Sequence, residues 1–230
     1  MDRIVILTGA GISAESGMGT FRGAGGLWEN RRVEEVATPE GFARDPDLVH
    51  RFYNARRQKA AQVEANAAHR AIARLQREHK GPVTLVTQNV DALHEKGGSP
   101  SVIHMHGRLA GALCAACDHR WEAPEEMLPG HPCPACGAPA ARPDVVWFGE
   151  MPYHMDEIIE ALSTCTLFAA IGTSGNVYPA AGFVQEAYRA GAHTVEINLE
   201  PSAVVSDFAE TRFGPATQTV PAWVAEVLGD

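Results

Sequence analysis

Four of the five cysteines stand in two short pairs with the spacing of metal ligands. Cys114 and Cys117 form one C-x-x-C pair, and Cys133 and Cys136 form the other after an interval of fifteen residues. Each pair can offer two thiolates to one tetrahedral Zn²⁺, and four thiolates leave no position for a water molecule. We therefore predict one structural zinc ion held by these four cysteines, with no part in catalysis.

The sequence leaves two alternatives to a site of four cysteines, namely a mixed site with a histidine ligand and a redox pair. His119 or His131 could replace a cysteine in a mixed site, and either C-x-x-C pair could be a redox pair. The redox alternative is disfavoured because neither pair follows a predicted strand and opens a helix. The fifth cysteine, Cys165, lies beside the apolar run 167–171, where a buried and inert thiol is expected. Paired cysteines of this kind are typical of metal binding in a reducing compartment rather than of disulfides.

The chain opens with a short apolar run that breaks into a glycine-rich turn. Residues 4–7 are typical of a buried strand, and Gly9, Gly11 and Ala14 fit the pattern G-x-G-x-x-G/A. Such glycines let backbone N–H groups approach a phosphate, so the turn predicts a nucleotide site. A dehydrogenase would also need an acidic residue about 20 positions later, at the end of a second strand. The acidic residues in that interval lie in charged sequence that leads into a helix. A tight turn in an ordinary α/β protein is the alternative.

Polar side chains follow several of the later predicted strands. Residues 87–94 follow one strand, His104 and His106 close the next, and residues 172–174 and 198–200 close two more. Alternation along a strand places the two histidines on one face. Taken singly, each residue is typical of a turn or of a protein surface. Because the carboxyl ends of parallel strands meet at one edge of a sheet, their convergence predicts a ligand site, in which Asn198 and Glu200 could supply ribose contacts.

Composition and charge limit the partners. The formal net charge is −9, from 28 acidic and 19 basic residues, and no cluster of Lys and Arg offers a footprint for nucleic acid. No apolar stretch approaches the roughly 20 residues of a membrane span. The first strand begins within a few residues of Met1, which leaves no room for a signal peptide. We expect a cytoplasmic globular protein that binds neither nucleic acid nor membrane and favours a protein partner, with its oligomeric state left open.

The order of the predicted elements indicates an α/β fold. Beyond residue 143, strands at 145–148, 167–171 and 194–198 alternate with helices at 155–163 and 180–190. Such alternation predicts a doubly wound parallel sheet. Two insertions interrupt it, one helical at about 24–80 with helices within 45–79, and one rich in cysteine at about 108–143. We predict one catalytic region over residues 1–230, in which the larger domain consists of about 1–23, 81–107 and 144–230 and the insertions form a smaller domain.

Taken in order, these motifs resemble those of the sirtuin family of NAD-dependent protein deacylases. The resemblance covers essentially the whole chain through Gly-Ala-Gly-Ile-Ser, Thr-Gln-Asn-Val-Asp-x-Leu-His, His-Gly, the paired C-x-x-C, Val-Trp-Phe-Gly-Glu, Gly-Thr-Ser and Asn-Leu-Glu. It implies a Rossmann-like large domain, a small domain of helices and a zinc ribbon, and an acyl-lysine peptide entering the cleft between them. It also implies that NAD is consumed to give nicotinamide, O-acyl-ADP-ribose and free lysine. An NAD-dependent oxidoreductase and a noncatalytic zinc-ribbon binding module are the alternatives.

The resemblance implies roles for individual residues. His106 would act as general base on the ribose hydroxyls, Asn89 would orient ribose and water, and Asp91 with Ile12 would hold the nicotinamide amide. The residues implied to bind NAD are Gly9, Ala10, Gly11, Ile12, Ser13, Glu15, Ser16, Thr20, Phe21, Arg22, Trp28, Gln88, Asn89, Val90, Asp91, Gly172, Thr173, Ser174, Asn198, Leu199, Glu200 and Ala216.

One departure from the common pattern indicates a subgroup. Many sirtuins carry Pro and Asp before the Phe-Arg of the first loop, whereas this chain has Gly19 and Thr20. That variant resembles the class III bacterial sirtuins, which remove succinyl and malonyl groups. Tyr53 and Arg56 match the subgroup's Tyr-x-x-Arg and share one face of a predicted helix, where they could bind one carboxylate. Without the resemblance, Arg56 would be a solvated helix residue.

The resemblance also implies a peptide site. The peptide main chain would pair as a strand between residues 148–150 and 176–178, a mode that tolerates varied sequences. The residues implied to bind the acylated peptide are Ala37, Tyr53, Arg56, Val146, Phe148, Gly149, Glu150, Asn176, Val177 and Tyr178.

Overall fold

A computed structural model describes residues 2–19, 27–28 and 31–230, with only the backbone of 27–28. The strands are β1 Ile4–Thr8, β2 Leu27–Trp28, β3 Arg31–Arg32, β4 Val83–Thr87, β5 Ile103–His104, β6 Gly107–Cys114, β7 Arg120–Glu122, β8 Ala141–Val145, β9 Leu167–Ile171, β10 His193–Asn198 and β11 Glu210–Phe213. The helices are α1 Gly11–Ala14, α2 Val33–Val36, α3 Pro39–Arg44, α4 Pro46–Gln62, α5 Ala67–Glu78, α6 Leu93–Lys96, α7 Met155–Thr164, α8 Phe183–Arg189 and α9 Ala216–Leu228, with 3₁₀ turns at Ala180–Gly182 and Val205–Asp207.

The main sheet has six parallel strands in the order β11-β10-β9-β1-β4-β5. Numbered by their own succession, these strands follow the 3-2-1-4-5-6 order of the Rossmann fold. The chain leaves β1 in one direction and returns through β9 on its other side, so the order reverses between these two strands. Ligands bind outside the carboxyl ends of the strands at such a reversal. The predicted fold class is confirmed, and the sheet fixes where the site must lie.

Both faces of the main sheet are covered by helices. Ile4 and Ile6 of β1 pack in a buried cluster with α5 and α9, whereas Val5 and Leu7 pack in a second cluster with α7 and α8. Alternate side chains of one strand thus enter two cores, which explains the uninterrupted apolar run at the start of the sequence. Among the described residues, no helix combines the length and apolar composition that a membrane crossing requires.

A second, antiparallel sheet of three strands, β7-β6-β8, carries the cysteines. We call residues 107–145 the cysteine module. The strand expected at 145–148 within the parallel sheet is wrong, because β8 ends at Val145 and pairs with β6 instead. Beyond it the chain turns, since Glu150 N–H donates to Trp147 O at 3.0 Å and Trp147 N–H donates to Glu150 Oε2 at 2.8 Å.

The helices expected within 45–79 are present as α4 and α5. Asp45 begins α4 by accepting the N–H of Leu48 at 2.9 Å, and Pro46 stands at its first position. Asn66 begins α5 in the same way by accepting the N–H of Ala68 at 2.9 Å. We expected the whole of 24–80 in the smaller domain, yet α5 packs in the core of the main sheet. We therefore propose that the helical insertion ends near residue 66 and that α5 is the crossover between β1 and β4.

Candidate active site

Two backbone turns meet where the strand order reverses. Gly9 N–H donates to Ile171 O at 3.0 Å, and Gly11 N–H donates to Gly172 O at 2.8 Å. A Cβ atom on Gly11 would lie 2.7 Å from Gly172 Cα, and one on Gly9 would lie 2.8 Å from Gly172 O. The glycines of the opening motif therefore let the turn after β1 touch the turn after β9. The helix that follows, α1, has only four residues.

A single cavity runs from these turns to helix α4 and collects most of the predicted site residues. The predicted NAD-binding residues that line it are Gly9, Ala10, Gly11, Ser13, Gln88, Asn89, Val90, Asp91, Gly172, Thr173 and Ser174. The predicted peptide-binding residues that line it are Ala37, Tyr53, Arg56, Val146, Phe148, Gly149, Glu150, Val177 and Tyr178. His106 lines it as well, so the predicted base and both predicted binding sites share one space.

Several predicted residues do not line this cavity. They are Ile12, Glu15, Ser16, Asn176, Asn198, Leu199, Glu200 and Ala216. Asn198 Nδ2 donates to Thr173 O at 2.7 Å, which braces the turn after β9 from behind. Glu15 accepts the N–H of Thr217 at 3.1 Å and its hydroxyl at 2.5 Å, which joins the opening turn to the start of α9. Thr20, Phe21 and Arg22 lie outside the described residues, as does the side chain of Trp28.

His106 is held in one tautomer by the backbone. Its Nδ1 lies 3.1 Å from the carbonyl oxygen of Gln88. Because a carbonyl only accepts, Nδ1 carries the hydrogen and Nε2 carries the lone pair. Burial lowers the pKa of His106 from its usual value, against the hydrogen bond to Gln88 that raises it. The imidazole is therefore neutral at physiological pH and can accept a proton at Nε2.

His104 does not share this face, contrary to the expectation from strand alternation. Its Nδ1 lies 3.2 Å from Asn89 O, its Nε2 lies 2.7 Å from Glu95 Oε1, and it does not line the cavity. Strand β5 ends at His104, so the two-residue alternation stops before His106. His104 instead supports the backbone of Asn89 from outside the cavity.

Asn89 and Asp91 are fixed by bonds within the turn after β4. The amide of Asn89 donates to Gly9 O at 3.1 Å and to Ser13 Oγ at 3.2 Å. Asp91 Oδ1 accepts the N–H of Leu93 at 3.0 Å. Burial raises the pKa of the Asp91 carboxyl, against the hydrogen bonds from Leu93 and Ser13 that lower it. These hydrogen bonds leave the side chains of Asn89 and Asp91 little freedom to rotate.

At the far end of the cavity, Tyr53 and Arg56 are buried. Tyr53 is 0% exposed and Arg56 is 5% exposed, so the solvated alternative for Arg56 is excluded. Trp147 Nε1–H donates to the Tyr53 hydroxyl at 3.0 Å. Burial also raises the pKa of Tyr53 far above its usual range, against the hydrogen bond from Trp147 that lowers it. A neutral phenol and a permanent cation thus line one pocket, the chemistry that suits a carboxylate.

The mouth of the cavity combines a rigid turn with exposed apolar side chains. Glu150 binds Arg142 through two bonds, at 2.6 and 2.9 Å, and the Arg142 guanidinium lies 3.6 Å from the centre of the Trp147 ring. The carboxylate of Glu150 therefore stabilises the turn after β8. Phe148 is 44% exposed and Tyr178 is 72% exposed at the mouth.

Within the part of the chain that the structure describes, five cavity residues were not among those predicted, namely Met18, Gly19, Val145, Trp147 and Pro152. Trp147 lies within the motif Val-Trp-Phe-Gly-Glu, and this motif was the sequence signal that could have identified it as a site residue. Its bond to Tyr53 joins residues 94 positions apart, and no local pattern reveals such a contact.

The four cysteines form the predicted metal site. Cys114 Sγ lies 3.7 Å from Cys136 Sγ, Cys117 Sγ lies 3.8 Å from Cys133 Sγ, and all four sulfurs lie within 4.8 Å of one another. Zn–S bonds of about 2.3 Å in a tetrahedron place the sulfurs about 3.8 Å apart, so the arrangement fits Zn²⁺. Over the described ranges, the group suited to a metal consists of these cysteines and includes neither His119 nor His131.

The fold and the cavity together define a dinucleotide-binding α/β protein with a tetracysteine zinc ribbon. A model of the Sir2 family matches residues 9–179, and this chain belongs to that family. The resemblance to the sirtuins is thus confirmed.

Individual relatives agree with this membership. A protein of Vibrio vulnificus (strain YJ016) named NAD-dependent protein deacylase is 58% identical over 228 residues, which are 98% of this chain and 93% of that protein. A solved Sir2 homolog in complex with NAD has a TM-score of 0.89 and 38% identity, with 97% of this chain and 88% of that one covered. A solved Sir2 in complex with a p53 peptide and NAD⁺ has a TM-score of 0.81 and 27% identity, with 98% and 93% covered.

Proposed function

We propose that this chain is an NAD-dependent protein-lysine deacylase that removes succinyl and malonyl groups as well as acetyl groups. The observation that carries the proposal is one cavity lined by a backbone-held histidine, by the turns of a Rossmann reversal and by buried Tyr53 and Arg56. The relatives support the activity, since one is named a deacylase and others bind NAD or a peptide with NAD⁺.

The residues at the reversal point fit NAD. The cavity begins at the two turns where dinucleotides bind in this fold, and Gln88, Asn89 and Asp91 add polar side chains beside them. When bound, NAD would supply the anomeric carbon that the acyl oxygen attacks, and with one molecule of water the reaction would give nicotinamide, O-acyl-ADP-ribose and free lysine. The turns Gly9–Ser13 and Gly172–Ser174 would hold it, and Asp91 would hold the nicotinamide amide, whereas Ile12 is buried outside the cavity.

His106 is assigned as the general base. The bond from Nδ1–H to Gln88 O orients the ring and leaves Nε2 to accept the proton of a ribose hydroxyl. Asn89 is assigned to orient the ribose and water, because its amide is already positioned by Gly9 and Ser13. Asn89 follows β4 and His106 follows β5, so two neighbouring strands of the main sheet set the spacing of these side chains.

The pocket of α4 is assigned to the acyl group. A succinyl or malonyl group ends in a carboxylate, which the Arg56 guanidinium and the neutral Tyr53 phenol can bind together. Ala37 is small and leaves room for the acyl chain at the same wall. An acetyl group lacks the carboxylate and needs neither side chain.

The acylated peptide is assigned to the mouth, between residues 148–150 and 176–178. Phe148 N–H already donates to Ala37 O at 2.9 Å, so the peptide main chain must pair with other groups of these segments. Recognition through main-chain bonds tolerates varied sequences, which is consistent with substrates defined by their acyl-lysine.

One comparison tests the proposal. Acetyl, succinyl and malonyl versions of one lysine peptide are incubated with NAD, and nicotinamide and O-acyl-ADP-ribose are measured. We expect nicotinamide release that requires an acylated peptide, with one O-acyl-ADP-ribose formed for each lysine freed. Formation of NADH, or nicotinamide release independent of peptide, would contradict the assignment.

A further inference from the structure

Helix α4 has two occupied sides. Tyr53 and Arg56 line the cavity, and the residues that follow each of them, Asn54 and Arg57, contact the cysteine module. Successive residues of a helix project about 100° apart, so a single helix can serve both surfaces. The acyl pocket and the cysteine module are therefore joined through one rigid element.

Asn54 makes a paired contact with the backbone of the module. Its Nδ2 donates to Met127 O at 3.0 Å, and its Oδ1 accepts the N–H of Met127 at 3.1 Å. Asn54 is 6% exposed and Met127 is 0% exposed, and Met127 packs with Ala112 of β6 and Ala141 of β8. A two-bond contact with buried backbone groups fixes both distance and rotation, so Asn54 sets the position of α4 against the module.

Arg57 adds a second contact on the same side. Its Nη1 donates to Leu109 O at 2.8 Å, and its Nη2 donates to Asn54 Oδ1 at 2.5 Å. Leu109 lies in β6 and packs in one buried cluster with Tyr53 and Trp147. Arg57 thus ties the module to α4 beside the residues of the acyl pocket and holds the Asn54 amide in place.

We propose that Asn54 and Arg57 are positioning residues for acidic acyl groups, because they hold α4 at the register that directs Tyr53 and Arg56 into the cavity. The inference rests on the proposed function. A guanidinium binds a carboxylate well only in a narrow geometry, so a small shift of α4 weakens recognition of a succinyl group. An acetyl group offers no carboxylate, and its reaction depends on His106 and Asn89, which the main sheet positions.

The test uses the full-length, zinc-loaded chain with Asn54→Ala or Arg57→Met, acting on succinyl-lysine and acetyl-lysine versions of one peptide at saturating NAD. We expect KM for the succinyl peptide to rise about tenfold, the size of one charge-assisted hydrogen bond, with its kcat retained. Both constants for the acetyl peptide should stay within about twofold, since no charged group of that substrate depends on α4.

Two conservative variants and a matched control sharpen the result. Asn54→Asp keeps the acceptor for Met127 N–H and loses the donor, and Arg57→Lys keeps a donor for Leu109 O. We therefore expect Asn54→Asp to raise KM for the succinyl peptide by less than Asn54→Ala does, and Arg57→Lys to raise it by less than Arg57→Met does. Arg51→Ala removes an exposed charge from the same helix and should leave kcat and KM unchanged for both peptides. Unfolding midpoints and zinc content identify the variants that fold.

The outcomes separate this inference from the proposed function. An equal loss of kcat/KM for both peptides, or an unchanged ratio of kcat/KM for the succinyl and acetyl peptides, in a folded variant would overturn the positioning role alone. If Asn54→Ala fails to fold, Arg57→Met makes the same comparison with the Asn54–Met127 pair intact. If the unmodified chain releases no nicotinamide with the succinyl peptide, the acidic-acyl function fails, and this inference fails with it.

Discussion

His106 combines a fixed tautomer with a buried ring that disfavours charge. The Gln88 carbonyl takes the hydrogen of Nδ1, and burial lowers the pKa of the ring despite that bond. A base with a lowered pKa is weaker but is present in its active form over a wider range of pH. The arrangement favours availability near neutral pH over basicity.

The pH profile of the reaction follows from this environment. We expect kcat/KM to rise with pH and to level off below the ordinary histidine value of about 6.5, because the neutral imidazole is the active form. A profile measured from pH 5 to 8 checks this. Burial raises the pKa of Asp91, so Asp91→Asn identifies any part of the acidic limb that belongs to that carboxyl. A plateau that begins above pH 7 would argue against His106 as the base.

Substitutions at the acyl pocket should separate the substrates. With Tyr53→Phe and Arg56→Met combined, we expect desuccinylation to fall by about 100-fold in kcat/KM, because two charge-assisted bonds of about 1.5 kcal/mol or more are lost. Deacetylation should change by less than about threefold, since an acetyl group meets neither bond. Steady-state kinetics with paired peptides measures both, and an equal loss of both activities would refute the assigned roles.

Residues close together in sequence were the easiest to assign. The spacing of Tyr53 and Arg56 predicted a shared face, because three residues are nearly one helical turn. It could not show that Arg56 is buried, since the burial of a helix residue depends on segments that are distant in the sequence. Likewise, the ligating role of the cysteines was readable from local spacing, whereas the Asn54–Met127 contact joins distant segments.

At the scale of elements, the contact between two turns should limit substitution at Gly11. In Gly11→Ala the new methyl would meet the Gly172 backbone at 2.7 Å, and overpacking of this kind costs about 1–3 kcal/mol. We expect a lower unfolding midpoint and a higher KM for NAD. Gly182→Ala is the matched control, because its nearest neighbour would be a Tyr178 ring atom at 3.8 Å. Normal stability and NAD binding in Gly11→Ala would contradict the packing argument.

The cysteine module should depend on its metal. The one buried cluster made of described module residues alone is Ala112, Met127 and Ala141, which is little apolar surface to hold three short strands. We expect removal of zinc by a chelator, or Cys133→Ser, to unfold the module and to lower activity although no metal takes part in the chemistry. Metal content, circular dichroism and activity are measured on the same samples. Full activity with an unfolded module would show that the site does not need it.

Whether a segment forms a strand or a helix was predictable where the pattern was local. The sheet or domain to which that strand or helix belongs was not predictable. The apolar runs at 4–7 and 167–171 predicted buried strands because both faces of a parallel strand are covered. Residues 141–145 also form a strand, but nothing within them states which sheet they join. Helix α5 was assigned to the insertion for the same reason, since only its packing reveals that it covers the main sheet.

For the whole molecule, buried histidines should make the fold sensitive to acid. Burial lowers the pKa of His50 and of His69 to about 4, with smaller contributions from Arg57 and Arg70 respectively. In the unfolded chain each returns to about 6.5, so the unfolded state binds more protons between these values. The contribution of these two neutral histidines to the free energy of unfolding is fully present above about pH 6.5 and is lost toward pH 4. The loss at pH 5 is on the order of 2 kcal/mol for each histidine.

Urea unfolding at pH 7.5 and pH 5 measures this loss. His50→Leu should reduce the difference between the two free energies of unfolding, because the substitution removes one buried proton acceptor. Equal stability of the unmodified chain at the two pH values would contradict the argument.

The central place of β1 has a consequence for synthesis. The ribosome makes β1 first, yet in the sheet it lies between β4, which ends at Thr87, and β9, which ends at Ile171. At about 5–20 residues per second, one edge of β1 waits on the order of ten seconds for its neighbour after the other is paired. Throughout that interval the growing chain carries an apolar strand with open hydrogen-bonding groups. We therefore expect a nascent chain that stalls before residue 167 to expose this strand edge to chaperones rather than to act as a partial enzyme.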